Sequence, residues 1–145
     1  MRKYKLARNA VFIGITGVVT IFSSCTTNYN SITLEGTWQV VDMEADMPTV
    51  SPGIISEGEK LALSTTYFFR SDNTCLVTSD YYPDGYEATW QFDEDSMLLR
   101  VESADEIIID NSNFSIEFEN AKKIYLSQSI SELGDLRMTL TKKRK

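Results

Sequence analysis

The sequence predicts an all-β domain, an antiparallel up-and-down β-barrel of about eight strands. Three observations lead there. Apolar residues recur at every second position in several segments. Turn-forming residues separate those segments at short intervals. No stretch shows the 3.6-residue recurrence of an amphipathic helix.

The first element is not part of that domain. Residues 1–9 are basic, with Arg2, Lys3, Lys5 and Arg8, and residues 10–22 (AVFIGITGVVTIF) carry no charge. Ser23, Ser24 and Cys25 follow. Basic, apolar, then small is the order of a secretory signal peptide. A transmembrane helix needs about 20 apolar residues to cross the bilayer, so this run is too short, and Gly14 and Gly17 weaken it further as a helix. Phe22-Ser23-Ser24-Cys25 resembles the lipobox of bacterial lipoproteins, with Phe22 where leucine is usual. The resemblance implies cleavage before Cys25 and a diacylglyceryl group on its thiol. Several acyl chains anchor stably where one does not. Thr26 follows the cysteine and no acidic cluster does, which points to the periplasmic face of an outer membrane. The expected division is therefore a signal peptide over residues 1–24, a polar flexible tether over 25–33, and the barrel domain over 34–145.

The strands come next. Glu35–Met43 is the first. A long connection, Glu44 to Glu59, contains Pro48, Pro52, Gly53 and Gly58. A loop of that length in a compact domain is usually functional or disordered. Leu61–Arg70 and Thr74–Asp80 read as strands joined at Ser71-Asp72-Asn73. Pro83-Asp84-Gly85 then supplies a preset φ and a residue that tolerates positive φ. In Tyr86–Phe92, Tyr86, Ala88, Trp90 and Phe92 alternate with polar residues. Met97–Glu102, Glu106–Ile109 and Phe114–Glu119 follow, the last with Phe114, Ile116 and Phe118 on one face. Lys122–Ser127 and Leu136–Thr141 complete the series, with Gly134-Asp135 between them. Successive strand side chains point to opposite faces, so each segment has one dry face and one wet face. Such sheets are antiparallel. Closing the meander removes both edges and hides the apolar face inside. An open β-sandwich of similar length is the competing architecture, although the inter-sheet cysteine pair of many sandwiches is missing.

Charge and composition exclude several functions. Once the leader and its four basic residues leave, ten Lys and Arg face 21 Asp and Glu, a net charge of −11. That surface repels phosphate backbones, so nucleic acid is not an expected partner. It also resists anionic headgroups, so membrane contact should come through the N-terminal lipid. The chain has no histidine, which removes His-based triads, His-ligated haem and the usual zinc sites. Cys75 has no cysteine partner if Cys25 carries lipid. It reads as a small core residue and not as a nucleophile. Paired acids could in principle hydrolyse glycosides, but Asp93-Glu94-Asp95 and Asp80/Asp84 fall at turns, where acids are normally solvated. No EF-hand spacing follows Asp93 and Asp95. Neither enzymatic activity nor a metal or cofactor is expected.

Leu34-Glu35-Gly36-Thr37-Trp38 resembles the G-x-W signature that opens lipocalins and their bacterial lipocalin-like relatives. The resemblance covers roughly Leu34 to Lys142: a long first loop, a Phe68-Phe69 strand, an Asp72-Asn73-Thr74 turn, a Thr89-Trp90 strand and alternating strands to the end. It implies that Trp38 packs across the closed end of the barrel and that Gly36 lets the backbone approach closely. It also implies a basic residue stacked on Trp38, with Arg137 and Lys142 as candidates. Glu44–Glu59 would then lie at the open mouth as a lid.

Two functions remain. A carrier would bind a small apolar ligand among inward-facing Tyr67, Phe69, Tyr86, Trp90, Phe92, Phe114, Ile116, Phe118 and Met138, an aromatic-rich set suited to ring-bearing molecules. The alternative is that these side chains merely fill the barrel. The protein would then be a structural or interaction lipoprotein that presents loops to an envelope partner. Tyr81, Tyr82 and Tyr86 around the Pro83-Asp84-Gly85 turn are the candidate contact surface.

Overall fold

Alternating burial along the strands produces a sheet that closes on itself. The computed structural model describes residues 33–103 and 111–144. The strands are β1 (Gly36–Asp46), β2 (Thr66–Phe69), β3 (Thr74–Thr78), β4 (Tyr86–Asp93), β5 (Leu98–Ser103), β6 (Asn111–Asn120), β7 (Lys123–Ile130) and β8 (Gly134–Lys142). Each pairs antiparallel with its sequence neighbour, and β8 returns to β1, so the eight strands form a closed up-and-down barrel. This is the predicted fold, and the open sandwich is set aside.

Closure rests on the β1–β8 ladder. It runs from Trp38 opposite Lys142 to Asp46 opposite Asp135, with a bulge between Val40 and Asp42. The bulge resets the side-chain parity. Trp38 and Val40 point inward, Val41 and Asp42 both face out, and Met43 then turns inward opposite Met138. Without the extra residue, Asp42 and Glu44 would enter the barrel, because a one-residue slip exchanges the two faces of a strand.

The two ends differ. At one end lie the start of β1, the β2–β3, β4–β5 and β6–β7 turns and the end of β8. Here Trp38 is fully buried, and its indole N–H donates to the Leu34 carbonyl at 2.7 Å. Lys142 lies with its ammonium 5.2 Å from the Trp38 ring and donates to the Thr33 carbonyl. Of the two candidate cations it is Lys142 that stacks on Trp38. Arg137 lies on the outer face over Tyr125, 4.4 Å from the ring centroid. Gly36 has φ +121°, and a Cβ there would come within 2.8 Å of Lys142 Cε. The chain thus needs glycine where the stacked lysine crosses it, the close approach that the G-x-W resemblance implied.

The turns use the predicted chemistry. Asp72 Oδ1 accepts from the Thr74 amide at 3.0 Å and from its hydroxyl at 2.6 Å, and Asn73 takes φ +65°. Asp93 Oδ1 accepts from the Asp95 amide. The Tyr82-Pro83-Asp84-Gly85 turn closes with Gly85 N–H donating to the Tyr82 carbonyl.

One expectation is corrected. Glu44–Glu59 is not a single loop and Leu61–Arg70 is not a single strand. β1 runs on to Asp46, and Pro52–Ser64 forms a helix, α1, ahead of the four-residue β2. Pro52 sits in the first turn, where its missing N–H costs nothing. Ser51 provides only its carbonyl to the amides of Ile54 and Ile55. At the far end, the Ser64 and Thr65 hydroxyls both donate to the Leu61 carbonyl. The strand expected over Glu106–Ile109 lies outside the described residues, as do Cys25 and most of the tether. Among the described residues no helix is long and apolar enough to cross a membrane.

Gly134, with φ +133°, begins β8 where the backbone of Asp46 and Met47 passes directly over it, and a Cβ would collide with the Asp46 carbonyl. Gly58, inside α1, has nothing within 4 Å of an added Cβ. Gly134→Ala should therefore destabilise the barrel by about 3 kcal/mol or more. Gly58→Ala should stabilise it by about 0.5–1 kcal/mol through helix propensity. Chemical denaturation midpoints of the two variants check both signs.

Candidate functional site

The barrel interior is filled at the Trp38 end and open at the other. Leu99, Ile124, Leu126 and Leu140 are fully buried around Trp38 and Phe69. Phe69 meets Trp90 edge-on at 5.4 Å, and Phe92 meets Phe118 in the same way at 5.8 Å. The Trp90 indole donates to the Arg70 carbonyl at 3.0 Å, so its polar edge is engaged within the wall.

Toward the mouth several inward positions carry smaller or polar side chains: Ala45 on β1, Ser79 after β3, Ser112 on β6 and Gln128 on β7. They surround a cavity of about 630 Å³, open to solvent at the mouth. Its floor and walls are Met43, Tyr67, Val77, Tyr86, Phe114 and Met138. Its roof is α1, which contributes Ile54, Ile55, Leu61 and Ala62 from one face. The volume lies within the range of small-molecule sites.

Four of the sequence-derived binding candidates, Tyr67, Tyr86, Phe114 and Met138, line this cavity. The other aromatic candidates, Phe69, Trp90, Phe92 and Phe118, point inward but belong to the packed half, as does Ile116. The other lining residues were not anticipated as binding residues, among them Met43, Val77, Ser112, Gln128 and Leu136 of the barrel and the residues of α1. For α1 the signal was the spacing of Ile54, Ile55, Gly58, Leu61 and Ala62, which recur at helical intervals along one face. Two glycines and a proline concealed it.

The roof is lightly held. No residue of α1 is buried. Ile54 is 67% exposed. Its link to the neighbouring β3–β4 turn is the Asp80 amide donating to the Ser64 hydroxyl at 3.1 Å. In that turn, Tyr82 meets Tyr86 edge-on at 5.3 Å, whereas Tyr81 is 70% exposed.

The titratable groups have structural tasks. Asp72 is held below the usual carboxylate range, first by the Thr74 hydroxyl, and Asp93 likewise by the Ser96 hydroxyl. Both are turn acids bonded to their own loops. Among the described residues no group of three or more His, Cys, Asp or Glu is arranged to hold a metal. Cys75 is buried in the β3 wall, and desolvation pushes its thiol up to about 12.

No protein-family profile matches the chain, and no curated protein sequence does. Among solved structures, the chain is similar to a DUF4847 family protein from Bacteroides vulgatus ATCC 8482. The TM-score is 0.50 at 16% identity, covering 77% of this chain and 94% of that one. At that identity the likeness concerns the fold, an antiparallel eight-stranded barrel.

The Cys75 thiol gives a pH prediction. An ordinary thiol ionises near 9.0, whereas the folded one keeps its proton to about 12. Between these values the folded state holds one more proton than the unfolded state, so stability falls as pH rises across that window. The slope attributable to Cys75 is at most about 1.4 kcal/mol per pH unit. Denaturation midpoints of wild type and Cys75→Ala should diverge below that window and converge through it. In the native protein a thiol reagent should leave Cys75 unmodified until denaturant is added.

Proposed function

We propose that this protein is a lipid-anchored, lipocalin-like lipoprotein of a bacterial envelope that binds or carries a small apolar ligand and performs no catalysis. The observation that carries the reading is the ligand-sized, apolar cavity between α1 and the upper half of the barrel. Filling the whole barrel with side chains would have removed the carrier function, and only the Trp38 half is filled.

Anchoring rests on the lipobox-like Phe22-Ser23-Ser24-Cys25 sequence. The geometry gives the anchor a consequence. The chain enters the barrel at Thr33 and Leu34, beside Trp38, at the end opposite the cavity. A lipid on Cys25, eight residues before Thr33, would hold the filled end near the membrane and leave the mouth facing away. The outer membrane, with the domain in the periplasm, is the proposed location.

Exposed Tyr81 and Ile54 beside the mouth favour a second reading, in which the protein presents this rim to an envelope partner. Pull-down with Tyr81→Ser and Ile54→Ser variants tests it, and undiminished capture would count against it.

The carrier reading is tested by titrating the chain from residue 26 onward, which keeps every strand, with an environment-sensitive apolar dye. Saturable binding at one dye per chain is expected. Leu136→Trp, which fills the cavity, should weaken it by at least about tenfold, whereas Trp90→Phe, in the packed half, should leave it nearly unchanged. Absence of saturable binding by the folded protein would refute the reading. Separately, labelled palmitate should be incorporated by cells expressing the full chain and not by those expressing Cys25→Ser.

A further inference from the structure

Among the described residues, the cavity wall contains no Asp, Glu, Lys or Arg. This is not the consequence of a chain poor in charge, since 24% of its residues are charged. The β1 bulge is what keeps Asp42 and Glu44 on the outer face, where they would otherwise enter the barrel. The cations are placed elsewhere. Arg70, Lys122, Lys123, Lys142, Lys143 and Arg144 lie at the Trp38 end. Arg100 and Arg137 are exposed on the outside of β5 and β8. Lys60 is bound to Glu57 on the outer side of α1.

The mouth itself is acidic. Asp46 and Asp135 are the last cross-strand pair of the β1–β8 ladder, both exposed. Like charges directly opposite destabilise a sheet. Asp80 and Asp84 lie in the adjoining β3–β4 turn, both exposed. An anion approaching the cavity meets this rim first. Once inside it finds no counter-charge, and an unpaired buried carboxylate is strongly disfavoured. A buried cation is equally unpaired within the wall. The polar side chains among the described lining residues, which include Ser79, Tyr82 and Gln128, are neutral and suit a hydroxyl, carbonyl or amide.

We infer that the cavity selects uncharged apolar molecules bearing neutral polar groups and rejects amphiphiles with a carboxylate or phosphate head. Fatty acids and phospholipids are then not its ligands, although they abound at the membrane to which the protein would be tethered. The inference rests on the carrier reading and sharpens it.

The test compares two fluorescent probes of one skeleton, pyrenebutanol and pyrenebutanoate, titrated into the chain from residue 26 onward at neutral pH. Pyrenebutanol should bind saturably and pyrenebutanoate at least about tenfold more weakly. Gln128→Arg, which puts a cation on the wall, should narrow or reverse that preference, with circular dichroism confirming that the barrel is intact. Equal or tighter binding of the carboxylate by the wild-type protein would overturn the inference and leave the carrier reading standing. Failure of both probes and of the neutral dye would overturn both.

Discussion

The β1–β8 ladder is the contact on which the rest of the structure depends. Seven hairpin-like pairings between sequence neighbours would form a curled sheet with two open edges and an exposed apolar face. The eighth pairing joins residues about a hundred positions apart, and it turns that face into an interior. Its cost in loop-closure entropy is met by its length and by the cluster around Trp38 at its start. There, the indole bonds to Leu34, Lys142 lies on the ring, and Gly36 allows the strands to approach. The position of the cavity follows from the same ladder, because its bulge decides which residues of β1 face inward beyond Val40.

A barrel of this strand number is just wide enough either to be packed solid or to hold one small molecule. This protein does one at each end. Below, indole and phenyl rings interlock edge-to-face, a geometry that adds stabilisation beyond burial alone. Above, alanine, serine and glutamine occupy inward positions where the same strands could have carried leucine or phenylalanine. Small and polar residues at inward sites give up hydrophobic stabilisation, of order 1.5–3 kcal/mol for each large side chain not buried. The packed half supplies the stability that permits this, so folding and the candidate site are separated along the barrel axis.

Much of the fold was legible because period-two alternation is a local signal that tertiary packing reinforced. Tyr86–Phe92 and Phe114–Glu119 appear as strands within a residue or so at one end, although β6 starts earlier, at Asn111. Turn residues such as Asp72-Asn73 and Pro83-Asp84-Gly85 fall where expected. The helix was not legible. Its apolar spacing is interrupted by Gly58, it lacks a side-chain cap, and it buries no residue. It is helical because the barrel mouth offers an apolar surface for Ile55 and Leu61, which is a tertiary cause. The candidate site was half legible for a related reason. Alternation tells which side chains point inward but not how far along the axis each one lies. Tyr67 and Phe69 are both inward on β2, yet only Tyr67 reaches the cavity, and that difference comes from register around the closed barrel.

The weakness of α1 matters for access as well as for prediction. In the proposed carrier, displacement of this helix would widen the opening through which the cavity already meets solvent. Elements with few buried contacts open at lower free energy than the core to which they are attached. Helix α1 has no buried side chain, a glycine at Gly58 in its interior and a single side-chain hydrogen bond to the facing turn among the described residues. The barrel below it need not loosen for the mouth to open. Entry and release can therefore be governed by a segment whose displacement leaves the β1–β8 ladder, and with it the fold, untouched.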